Sequence, residues 1–197
     1  MMKEFFKSRS YDMVKMFLNQ FGTGIFGVAL SIAVTMAKHD VLRNVTSVFA
    51  ILFYLFLLYT MTWDIGFKDK ISVEHGRKPY KPWTGFWISL CANIPNLVLA
   101  VFISLASFFN VGFLSAIGGV CGAIALVLEG MFTGVLANSV GGAPLNSYWW
   151  VWFLITVPSM VICAISYYFG LKDVKFTKLF NYQYPESDRE PKKKNRK

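Results

Sequence analysis

Between Pro82 and Leu171 the chain contains no Lys and no Arg, and Glu129 is the single charge in those 90 residues. A water-soluble domain could not omit solvated charges over that length. A bilayer demands it, because a charge at mid-membrane costs roughly 2.5–3.5 kcal/mol on insertion scales. Cysteine is scarce as well. Cys91, Cys121 and Cys163 are odd in number and each falls inside an apolar run, which argues against a disulfide framework. The two histidines, His39 and His75, sit far apart in loops, so no metal constellation is visible and no metal or cofactor is expected. Also missing are H-E-x-x-H, G-x-S-x-G, the phosphate-cradling G-x-x-x-x-G-K and any carboxylate cluster at metal spacing. The chain reads as a non-enzyme.

What is present agrees with a membrane setting. Apolar residues make up 55% and charged residues 16%, against about 25% charged in an average soluble domain. The reading is an all-α, polytopic transmembrane helix bundle with four or five hydrophobic crossings. The net charge of +9 resides in juxtamembrane segments, as cytoplasmic loops require, so no nucleic acid is expected as partner. Three regions follow: an amphipathic interfacial helix over 1–18, a transmembrane domain over 19–171, and a basic, partly disordered tail over 172–197. The leader places Phe5, Phe6, Val14, Phe17 and Leu18 among Lys3, Lys7, Arg9 and Lys15. A signal peptide is the competing reading, disfavoured by the length of the charged leader and the lack of an A-x-A site.

The first span, about 20–37, repeats Thr23, Gly27, Ser31 and Thr35 at every fourth residue, a face for close helix approach. The second, about 45–65, is bulky all round and reads as lipid-exposed. A basic loop, 66–82, carries five Lys or Arg. The third span, about 84–107, aligns Ser89, Asn93, Asn96, Ser104 and Ser107 on one face, with Pro95 predicting a kink. Next, 112–142 holds eight of the fifteen glycines, including the packing pairs Gly118–Gly122 and Gly130–Gly134, with Glu129 in the middle. The last span, about 148–170, opens on Tyr148, Trp149, Trp150 and Trp152 and closes on Tyr167 and Tyr168, one aromatic girdle at each end.

Charge counts bear on the threading. Five full crossings put nine Lys or Arg inside and eleven outside, no bias at all. If 112–142 enters and leaves by one face, the counts become eighteen inside and two outside, with both termini cytoplasmic. A straight helix over 112–142 would be about 46 Å long against a ~30 Å hydrocarbon core. A break at Glu129–Gly130 would give two half-helices of about 15 residues. A single tilted helix and six short spans stay open beside this re-entrant arrangement.

The stretch Trp63-Asp64-Ile65-Gly66-Phe67-Lys68-Asp69-Lys70, with Gly76-Arg77 and the Gly85- and Pro95-bearing third span, resembles a set of small, uncharacterised multi-pass proteins of Gram-positive bacteria. The resemblance implies a cytoplasmic loop and carries no activity with it.

Glu129 is the sharpest site candidate, since an ionisable group inside a membrane faces a cavity or a partner by default. Its plain alternative is a helix-end carboxylate reached by water. Asn93, Asn96 and Ser89 are the second candidate, for a solute or ion, although such amides more often bond a neighbouring helix. Asp64 is expected to pair with Lys68 one turn on. The terminal KKKNRK is a candidate contact for anionic lipid. The expected role is a small transport- or channel-type component for a small solute or ion, in the cell membrane. The alternative is an accessory or structural subunit, docking a protein partner or a second copy through small-residue faces.

Overall fold

A computed structural model describes residues 2–36, 40–109 and 111–174. Helix makes up 83% of the structure and strand 2%, so the all-α class holds. Three helices are long and apolar enough to cross a membrane, or up to five if each of two bent pairs is one span. The tail beyond Val174, with its lipid-binding candidate KKKNRK, lies outside the described residues.

The leader does not form a helix of its own. It is the start of α1, Met2–Met36, which runs unbroken for 35 residues, about 52 Å at the α-helical rise and several turns longer than a hydrocarbon core. Helix α2, Asp40–Glu74, is equally long and extends well into the stretch expected as a loop. It stops where Gly76 adopts φ 68°, a left-handed conformation that a glycine takes without penalty. There the Gly76 N–H bonds the Val73 carbonyl and the Arg77 N–H bonds that of Ser72, the two bonds of a Schellman closure.

The all-lipid reading of the second span is corrected. Ser47, Ala50, Tyr54, Leu58, Thr62, Ile65 and Asp69 recur at three- and four-residue intervals and are all buried, while Phe49, Leu52 and Phe56 on the other face are exposed. The buried face packs on α8, Val157–Leu171. Gly66 lies against the Tyr167 carbonyl, and Gly170 against that of Trp63, so neither site has room for a side chain.

The third span breaks into α3, Thr84–Ala92, and α4, Ile94–Phe109, bent by 54° around Asn93. Pro95 is the cause: it has no N–H to give the carbonyl one turn back and restricts the residue before it. Ser89, Asn93, Asn96 and Ser104 of the polar stripe are buried, whereas Ser107 is exposed.

Helix α5, Gly112–Leu128, ends at Glu129, where the chain bends by 87° into a 3₁₀ turn, Gly130–Phe132, and the short α6, Thr133–Leu136. The break falls where expected, but the arms are unequal, 17 residues against seven. Strands β1, Ser139–Val140, and β2, Ala143–Pro144, pair antiparallel across Gly141 and Gly142, whose φ of 64° and 86° fit a two-residue primed hairpin turn. A helical turn, α7, Val151–Leu154, then leads into α8.

Two ends of the bundle are fixed by contacts. At one, the amino end of α1, the carboxyl ends of α2 and α8 and the start of α3 meet around Arg9, Asp69, Lys78, Thr84 and Tyr167. At the other, Asn138 bonds Arg43 and Asn44, and the rings of Phe108 and Trp149 lie 5.2 Å apart. From that second end α5 descends along α4, with Gly118 against Ala106. The return arm climbs α1 and α2: Gly130 on Gly24, Met131 on Gly27, Gly134 on Ser47 and Arg43. The segment therefore enters and leaves by the same end, reaching halfway into the bundle.

Candidate functional site

Both helix breaks converge on one point. Glu129 caps α5 and Asn93 caps α3, and each exists as a break because its neighbour, Gly130 or Pro95, weakens the helix there. Gly130 also lets the break press on α1, where an added side chain would meet the Gly24 carbonyl. The carboxylate so placed is 2% exposed. Its Oε1 accepts from Gln20 Nε2 of α1 at 2.7 Å and from Asn96 Nδ2 of α4 at 2.7 Å.

The network continues into α3 and α8. Asn93 Oδ1 lies 3.3 Å from Asn96 Nδ2 and 3.4 Å from Gln20 Nε2. Asn93 Nδ2 donates to the Ser89 carbonyl at 2.9 Å and to Ser159 Oγ at 3.1 Å. Ser159 Oγ in turn donates to the Thr156 carbonyl. Tyr54 of α2, itself buried, stands close to Ser159 and Glu129. Glu129, Asn93, Asn96 and Ser89 are thus brought together, and Gln20, Ser159 and Tyr54 complete the centre.

The site has a deficit of positive charge. No Lys, Arg or His among the described residues makes an ion pair with Glu129. The carboxyl end of α5 is the wrong pole for an anion, while the amino turn of α4, which carries Asn96, is the right one; two opposed half-charges largely offset. Two acceptors are left over: Gln20 Oε1 and Asn96 Oδ1 are buried with no hydrogen-bond partner among the described residues. Each sits across its amide carbon from a nitrogen that touches Glu129, about 2.3 Å away by amide geometry. A carboxylate with no cationic partner, bonded by two amides whose own oxygens are unpaired, can hold a proton or coordinate a small cation. One carboxylate suits a monovalent ion, since Ca²⁺ sites gather six to eight oxygens with several carboxylates. The described residues include no group of three or more metal-ligating side chains.

The polar stripe and the glycine-rich segment are in direct contact. Asn96 touches Glu129 directly instead of facing it across a cavity. Of the packing candidates, Thr23 is buried, Gly27, Gly130 and Gly134 sit against backbone, and Gly118 against Ala106. Ser31 is half-buried and Thr35 exposed. Gly122 meets nothing within 4 Å. Asp64 does pair with Lys68, at 2.5 Å and largely in the open, where such pairs contribute little.

Gln20 escaped the sequence reading because it adjoins the charged leader and looked like a span boundary. Its spacing to Gly24, Gly27 and Ser31, which puts it on the close-packed face, was the available signal. Comparison with known proteins finds no family model, no curated protein and no solved structure that matches this chain.

Proposed function

We propose that the protein is a small transport- or channel-type membrane component in which a proton or a monovalent cation occupies the Glu129 centre. One observation carries this reading: a buried carboxylate without a cationic partner, bonded by two amides whose own oxygens are unpaired, where two broken helices meet. Discontinuous helices meeting at mid-depth are how many transporters build ion sites. With the bundle axis along the membrane normal, the chain makes four crossings plus a re-entrant segment. The count of eighteen Lys and Arg against two then sets both termini on the cytoplasmic side.

The test is flux in proteoliposomes, followed with a pH-sensitive dye and with radioactive Na⁺. Wild type should move one of the two faster than protein-free vesicles, and Glu129→Gln should abolish that excess. Identical traces for wild type, Glu129→Gln and empty vesicles would sink the proposal.

A second reading, an accessory subunit, has its own support. Ser115, Gly119 and Ala123 recur every fourth residue on α5 and are exposed, a small-residue face open to another helix. This reading expects Gly119→Leu to release a protein partner, or a second copy, that otherwise stays bound through purification in mild detergent.

A further inference from the structure

At the end of the bundle where α1 begins, two cavities adjoin. One, of about 260 Å³, has the charged side chains of Arg9, Asp69, Lys78 and Glu4 in its lining. The other, of about 410 Å³, is an aromatic groove between Phe5 and Phe6 of α1 and Tyr80, Trp83 and Trp87 at the start of α3, within the size range of ligand pockets. Phe5, Lys81 and Thr84 line both, so they mark the junction. Asp69 is already engaged by Arg9, Lys78 and Tyr167. The Lys81 ammonium has no ion-pair partner among the described residues. A cation without an ion pair therefore stands where the wall changes from charged to aromatic.

We propose that this junction binds one anionic diacyl phospholipid, its phosphate at Lys81 and an acyl chain in the groove from Trp83 to Cys91. That run of α3 is about 12 Å long at the α-helical rise, directed from the bundle end toward its centre. Trp and Tyr at its mouth are the residues that concentrate at headgroup level. A soluble phosphate would leave the aromatic groove unused, and a zwitterionic lipid would bring its own ammonium toward Lys81. The far side of Trp83 supplies a contrast. There Ala164, Ile165, Tyr168 and Phe169 form a groove of about 540 Å³ whose lining contains no Lys or Arg. Lipid can lie in it without selection by charge.

The experiment uses the full chain in mild detergent, offered equal phosphatidylglycerol and phosphatidylcholine, with retained lipid counted by native mass spectrometry. Wild type should retain phosphatidylglycerol preferentially. Lys81→Gln should cut that preference about fivefold, from ~1 kcal/mol per basic residue at an anionic lipid and 1.4 kcal/mol per tenfold. Trp87→Ala should lower retention of both lipids, with the melting temperature checking that the fold is kept. Lys15→Gln, which removes a charge on another side of the same end, should leave the preference unchanged. The proposal fails if Lys81→Gln matches Lys15→Gln, or if wild type shows no preference. It fails equally if inorganic phosphate displaces the lipid, which would assign Lys81 to a soluble anion.

Discussion

Among the described residues two carboxylates, Asp69 and Glu129, are buried, and they are satisfied in opposite ways. Asp69, at the end where α1 begins, receives Arg9, Lys78 at 2.8 Å and the Tyr167 hydroxyl at 2.7 Å, so three elements close on it with two cations. Glu129, halfway along, receives only two amide nitrogens, and the far oxygens of those amides are unpaired. Burial is nearly equal, at 4% and 2% exposed. A carboxylate that has its cations built in is a clasp. One that lacks them needs a proton or an ion from elsewhere, and the proposed function rests on this difference.

The largest effect should come from breaking the clasp. Asp69→Ala leaves Arg9, whose side chain is 13% exposed, with only its longer 3.3 Å pair to Asp12, a loss bounded by the about 3–5 kcal/mol that breaking a fully buried pair costs. The half-open Lys78 adds little to that, since exposed pairs contribute at most about 1 kcal/mol. Thermal unfolding in detergent should show a large drop in midpoint. A drop no greater than that of Asp64→Ala, whose pair is solvent-exposed, would mean that the clasp holds nothing together.

Next in size is crowding at the break. Gly130→Val sets a side chain against the Gly24 carbonyl and Val28, and overpacking of this kind costs typically about 1–3 kcal/mol. Gly122→Ala, where nothing lies within 4 Å, should instead stabilise slightly, by about 0.5–1 kcal/mol of helix preference. Equal midpoints for these two variants would show that the Gly130–Phe132 turn does not press on α1, and with it that Glu129 is not held there.

The two carboxylates also differ in how far the sequence announces them. Glu129 stands alone in an apolar background, and Pro95 and Gly130 mark both breaks, so Glu129, Asn93 and Asn96 were legible from their rarity, whereas Gln20, Ser159 and Tyr54 were not. Nor was Asp69. It sits among Lys68, Lys70 and Glu74, where one more charge carries no information, and nothing local says that α2 continues as helix to Glu74 and turns Asp69 inward. The same holds for the buried face of α2. Bulky residues occupy all sides of that helix, and burial is decided by α8, whose slim Cys163, Ser166 and Gly170 are distant in sequence. The seven-residue return arm was equally hidden, because its length depends on where Gly134 meets Ser47.

The smallest effect on stability should come from Glu129→Gln, and it sharpens the comparison most. The amide oxygen of the substituted side chain still accepts from Gln20 and Asn96, so both 2.7 Å contacts survive. Its new NH₂ enters an interior that already holds two unpaired acceptors, Gln20 Oε1 and Asn96 Oδ1. Removing the charge also removes a need for compensation within a dry interior. The melting midpoint should therefore be unchanged or slightly higher. Asp69→Asn removes the same charge from a site with two cations in place and should lower it clearly. If Glu129→Gln unfolds the protein as readily as Asp69→Asn, then Glu129 is a second clasp, its partner is structural, and the case for an ion at that centre fails.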